Sequence, residues 1–124
     1  MFRIASFEEF QDGQVIIQEG THGDWIYVVE EGYVEISKKA NGQQVVMAVL
    51  SKGEIFGELA FISGVPRTAT AKALGDTKVG VVDKDYFTRE YNKLPADFRQ
   101  IFNTVAMRLK KMTDAFIANQ SEQQ

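Results

Sequence analysis

The chain has 124 residues, enough for one domain with its own hydrophobic core, and its 44% apolar and 25% charged shares are ordinary for a globular protein. It contains no cysteine, which excludes disulfides and thiolate metal sites and fits a reducing cytoplasm. A net charge of −3, from 14 basic and 17 acidic residues, argues against direct DNA binding, and no leader pattern or membrane-length apolar run is present, so a cytoplasmic, membrane-free location is expected.

Turn signals punctuate the first part of the chain: Asp12-Gly13, Glu31-Gly32, Asn41-Gly42 and Gly75-Asp76 each separate strand-like stretches. Asn-Gly is the strongest short hairpin signal, because both central residues must accept positive φ. Residues Tyr33 to Lys38 and Gln44 to Leu50 are therefore expected to pair as antiparallel neighbours. Within the first of these, Val34 and Ile36 share one face, while Tyr33, Glu35 and Ser37 share the other, as a strand with one buried face requires. Trp25 to Glu30 reads as a more fully buried strand, with Trp25 and Tyr27 as core residues. Many short strands without intervening helices predict a mainly β fold, an antiparallel sandwich of the jelly-roll kind.

A short segment between Gly53 and Arg67 breaks that regime, and such local departures tend to mark function. Gly57 carries no Cβ, so the backbone there can approach a ligand closely. Glu58 to Ile62 can form one helical turn whose first N–H groups lack partners and favour negative charge. Arg67 supplies a planar fork of donors suited to a phosphate. Glu58 is out of place beside a phosphate unless it binds something else, and a sugar hydroxyl is the natural candidate. A ribose phosphate satisfies the whole set. Strands are expected to resume as Thr68 to Leu74 and Thr77 to Val82.

Asp83 is placed to cap a helix over Lys84 to Tyr91, and Leu94-Pro95 then punctuates the chain. From Ala96 onward neither proline nor glycine occurs, and Phe98, Phe102, Val105, Leu109, Met112 and Phe116 recur at spacings of 4, 3, 4, 3 and 4. That is a heptad-like seam on a helix of roughly 20 residues. Ile101 and Ile117 widen the stripe, Ala106 permits close approach, and the polar tail from Asn119 to Gln124 is expected to fray. Two readings of the seam stand: it caps the β domain, or it packs against a second copy to make a homodimer. Arg108, Lys110 and Lys111 read as a solvated face of this helix.

Catalysis finds little support. His22 is the only histidine and sits in the turn-like run Gly20-Thr21-His22-Gly23-Asp24, so a cupin-type metal site lacks its ligands. No nucleophile stands beside a base, and helix capping accounts for Asp83 and Asp85.

The run from Phe56 to Ala71, Phe-Gly-Glu-Leu-Ala-Phe-Ile-Ser-Gly-Val-Pro-Arg-Thr-Ala-Thr-Ala, closely resembles the phosphate-binding cassette of cyclic nucleotide-binding domains. These occur in kinase regulatory subunits, cyclic-nucleotide-gated channels and the catabolite activator family. The resemblance extends over most of the chain, since Gly20, Asp24, Gly32 and Gly53 also fall where that family places turn residues. It implies that Glu58 holds the ribose 2′-hydroxyl and Arg67 the cyclic phosphate, with backbone amides near Gly57, Leu59 and Ala60 completing the cradle. Thr68 matches a position that touches phosphate or base. The C-terminal helix resembles the dimerisation helix of the activator family, which places Met112 and Thr113 at the turn that meets the base. Thr113 can hydrogen-bond a base and Met112 can only pack on it; an outward Thr113 without a ligand role is the other reading. Met47 and Leu50 are apolar walls for the base or core residues.

The expected molecule is thus a sandwich over residues 1–94 containing the cassette 56–71, followed by a long, dimerising helix over 95–124 with a frayed tail. It acts as a sensor without catalysis or cofactor, binding cyclic AMP in preference to cyclic GMP and passing the signal to a downstream protein. The activator family's DNA-reading helix-turn-helix is not found in these residues. A nucleotide-independent interaction module that keeps the fold is the competing expectation.

Overall fold

The computed structural model describes residues 2–122. Its strands are β1 (Ile4–Phe10), β2 (Val15–Ile17), β3 (Tyr27–Ala40), β4 (Gln43–Leu50), β5 (Ile55–Phe56) and β6 (Thr70–Val82). Three helices, α1 (Glu58–Ser63), α2 (Lys84–Asn92) and α3 (Ala96–Glu122), complete the fold. Every strand pairing is antiparallel.

The long strands β3 and β6 organise the rest. The C-terminal half of β6 pairs with β1, its N-terminal half with β2, and β3 runs along its other edge throughout. The start of β3 also pairs with β5, and its later part pairs with β4. Two halves therefore share β3 and β6. They close on one core in which Tyr27, Val29, Phe56, Val79 and Val81 from one half meet Ile17, Val34 and Ala71 from the other.

Asn41 and Gly42 turn β3 into β4 with φ of 53° and 78°, and the ladder closes at Ala40 opposite Gln43. This is the two-residue hairpin that Asn-Gly specifies. Three expectations are corrected. Glu31-Gly32 does not divide two strands but lies inside β3. The stretches expected over Thr68 to Leu74 and Thr77 to Val82 form one strand, β6, that begins only at Thr70; Gly75 and Thr77 are accommodated inside it, the Thr77 hydroxyl donating to the carbonyls of Tyr33 and Gly75, both at 3.0 Å. Trp25 is 46% exposed rather than core, since it precedes β3 and lies in the loop from β2.

Asp83 caps α2, its carboxylate accepting from the Tyr86 N–H at 3.1 Å. Helix α3 is longer than the sequence suggested, 27 residues, and continues through Asn119–Glu122 where fraying was expected; the last residues of the expected frayed tail lie outside those described. Ala106 and Ile117 are buried, whereas Phe98, Ile101, Phe102, Val105, Leu109, Met112 and Phe116 are all exposed. Among the described residues no helix is long and apolar enough to cross a membrane.

Candidate functional site

Arg67 lies between α1 and β6 and is held from every side. Its N–H donates to the Thr21 carbonyl and its carbonyl accepts from the Gly20 N–H, each at 2.8 Å, so the β2–β3 loop clasps its backbone. Its guanidinium donates to the carbonyls of Gly57 at 3.0 Å and Trp25 at 2.9 Å. Glycine is needed on the near side: a Cβ on Gly57 would stand 2.8 Å from both the guanidinium and the Trp25 carbonyl, and φ there is 87°.

Arg67 is 6% exposed, and among the described residues no carboxylate forms an ion pair with it. Burial lowers its affinity for the proton, opposed by Tyr27, Asp24 and Glu58, and the balance stays below the ordinary guanidinium value. An arginine keeps its charge under such a shift. The result is a buried cation facing neutral carbonyls, an arrangement that an anion would complete.

Glu58 opens α1, directly after Gly57. One of its carboxylate oxygens, Oε2, is fully buried without a hydrogen-bond partner among the described residues. A buried carboxylate oxygen is costly unless a donor reaches it. The first N–H groups of α1 likewise have no intrahelical acceptor.

Arg67 and Glu58 line one cavity of about 300 Å³. The structure brings Gly57, Glu58, Leu59, Ala60, Arg67, Thr68 and Thr113 to this cavity. Met47 and Leu50 line it too, with Ile36 and Leu109. Met112 does not; it is 71% exposed. His22 is exposed, as its loop position suggested.

Sequence reasoning missed the Trp25 carbonyl and Lys38, and it read Lys110 as a solvated residue although it lines the cavity. The carbonyl of Trp25 was invisible because any residue supplies one. Lys38 was legible: it continues the inward face begun by Val34 and Ile36, and it is 7% exposed on the cavity wall. Its ammonium donates to the Thr68 carbonyl and pairs with Asp114 of α3 at 2.7 Å, and Lys110 reaches the other Asp114 oxygen at 2.8 Å. Of the charged residues lining the cavity, Arg67, Lys38 and Lys110 outnumber Glu58, and Asp114 behind them offsets part of the excess, so the wall favours an anion.

Comparison with known proteins points the same way. Residues 7–93 match the family model described as the cyclic nucleotide-binding domain. The cAMP-dependent protein kinase regulatory subunit of Mucor circinelloides f. lusitanicus is 40% identical over 80 residues, which is 64% of this chain and 19% of that protein. Among solved structures, the EAL enzyme Bd1971 in its cAMP-bound form superposes with a TM-score of 0.82 at 26% identity, covering 94% of this chain and 31% of the other. Its cGMP-bound form gives 0.78 at 28% identity, over 85% and 28%. The regulatory domain of Toxoplasma gondii PKA, crystallised with cAMP, gives 0.66 at 31% identity, over 82% and 38%. The chain thus spans about a fifth of the length of the kinase subunit it matches. A mainly β fold built around this cavity and a family match over most of its length establish that the chain belongs to the cyclic nucleotide-binding domain family.

Proposed function

We propose that this chain is a regulatory sensor that binds a cyclic nucleotide in the cavity between the cassette and α3, with cyclic AMP preferred over cyclic GMP. One observation carries the reading: a buried arginine without a carboxylate partner and a buried, unpartnered oxygen of Glu58 line the same cavity. A cyclic ribose phosphate supplies an anion to the first and a 2′-hydroxyl donor to the second. In this assignment the amides of Gly57, Leu59 and Ala60 and the Thr68 hydroxyl complete the phosphate end. Thr113 meets the base against Ile36, Met47, Leu50 and Leu109. The preference for cyclic AMP is supported by the kinase subunits among the relatives. The ligand biases the position of α3, and a downstream protein, such as a kinase catalytic subunit, reads the change.

A thermal-shift titration with both nucleotides tests this. At about 100-fold saturation a ligand bound only by the folded state adds roughly 2.7 kcal/mol. Stabilisation by cyclic AMP at lower concentration than cyclic GMP is the expected result. A flat melting temperature with both compounds would refute the assignment and favour a nucleotide-independent module.

A further inference from the structure

Among the described buried residues two are cations, Arg67 and Lys38. A lysine this deep needs partners, and Lys38 has them on two other elements. From β3 its ammonium holds the carbonyl of Thr68, the residue next to Arg67, and it pairs with Asp114 of α3. Asp114 in turn holds Lys110, which lines the cavity together with Thr113 and Leu109 of the same helix. A single ammonium therefore joins the cassette, the sheet and the helical wall of the cavity.

Adhesion alone is a poor account of this cluster. Lys38 is buried but Asp114 is 39% exposed, and an ion pair with so exposed a partner adds little stability; the best-attested use of a buried charge is to fix one arrangement against others. Ile117 and Ala106 already bury apolar surface between α3 and the rest of the domain. The ion pair is instead placed to fix how α3 sits relative to the backbone that follows Arg67.

We propose that Lys38 and Asp114 are positioning residues of the ligand site, making cavity occupancy and docking of α3 mutually dependent. This rests on the cyclic-nucleotide reading and names the side chains that carry its regulation. Reciprocity is required: if bound ligand favours docked α3 through this pair, docked α3 must favour ligand by the same factor. Breaking the pair should then cost affinity even though neither residue is assigned to the phosphate or the ribose.

The test uses the intact chain and its variants Lys38→Met, Asp114→Asn, Lys38→Arg and the double Lys38→Met/Asp114→Leu. Calorimetry gives Kd for cyclic AMP, and amide hydrogen exchange over residues 109–120 reports docking with and without ligand. Cyclic AMP should slow exchange there in the wild-type chain. Lys38→Met and Asp114→Asn should each weaken binding roughly 5–30-fold and abolish most of the ligand-dependent slowing. Lys38→Arg should keep both properties, and the double variant should be no worse than the poorer single one, because the two side chains act as a unit. A cooperative melt of each ligand-free variant certifies folding; should Lys38→Met fail it, Asp114→Asn decides, since Asp114 is the more exposed partner. A folded Asp114→Asn that binds within twofold of wild type, with helix protection intact, overturns the role of the pair and leaves the sensor reading standing. A wild-type chain that binds neither cyclic nucleotide overturns both.

Discussion

At the scale of single residues the phosphate end is governed by one guanidinium. Arg67 is fixed by the Gly57 and Trp25 carbonyls and by the clasp of Gly20 and Thr21, so it needs no reorganisation to receive an anion. Arg67→Ala removes the cation and leaves a bound phosphate buried and unpaired, for an expected loss of roughly 2–5 kcal/mol of binding. Arg67→Lys should recover only part, because an ammonium cannot serve two carbonyls and a phosphate in one plane. Calorimetry of the two variants against wild type checks the order. Glu58→Gln should weaken cyclic AMP while scarcely changing the affinity of its 2′-deoxy analogue; equal losses for both ligands would mean that Glu58 does not meet the ribose. These two side chains were readable from sequence because their chemistry is unusual together. The carbonyls that aim Arg67 were not, since the backbone carries no residue-specific signature, and Trp25 was misjudged because a large aromatic beside a strand pattern looks like core.

At the scale of elements, α3 and the β3–β4 hairpin meet through polar links as well as apolar ones. Besides the Lys38–Asp114 pair, the Asn41 side chain donates to the Ala118 carbonyl at 3.3 Å. Burial pushes the Asp114 carboxyl up, but hydrogen bonds from Lys110 and Lys38, together with their charges, outweigh it and hold the group below its ordinary value. In the unfolded chain the carboxyl returns to that ordinary value. Its contribution to stability is therefore complete above the ordinary carboxylate range and disappears as pH falls through the lower folded value. Urea unfolding between about pH 5 and pH 2 should show a steeper acid loss for wild type than for Asp114→Asn. Identical slopes would count against a stabilising Asp114. The hairpin and the placing of α2 and α3 were legible, because Asn-Gly, the Asp83 cap and the heptad spacing are local signals. The continuity of β6 was not, since it depends on Thr77 and Tyr33 meeting across the sheet.

At the scale of the whole molecule, the outer edge of α3 is an apolar strip from Phe98 to Phe116, with Val46 and Val49 of β4 also exposed. An uncovered strip of this length is unusual on a monomer. We expect two copies to pack through it, with the sandwich of residues 1–94 and the helix of residues 95–124 as the working parts of each. Sedimentation at tens of micromolar should report a dimeric mass, and Val105→Asp combined with Leu109→Asp should return it to the monomer while the fold survives. A monomeric wild-type chain would remove the dimer. The heptad spacing showed that such a strip exists; which edge of it faces the domain depended on where Ala106 and Ile117 come to rest, and that is a tertiary fact.

The carbonyl grip on Arg67 has a mechanical corollary. One jaw of the vice is bolted to strands and a loop, whereas the opposing jaw, carried on a helix, is attached by a few side chains. A guest entering the gap would find the first jaw already set, and we expect any movement it provokes to fall on the second.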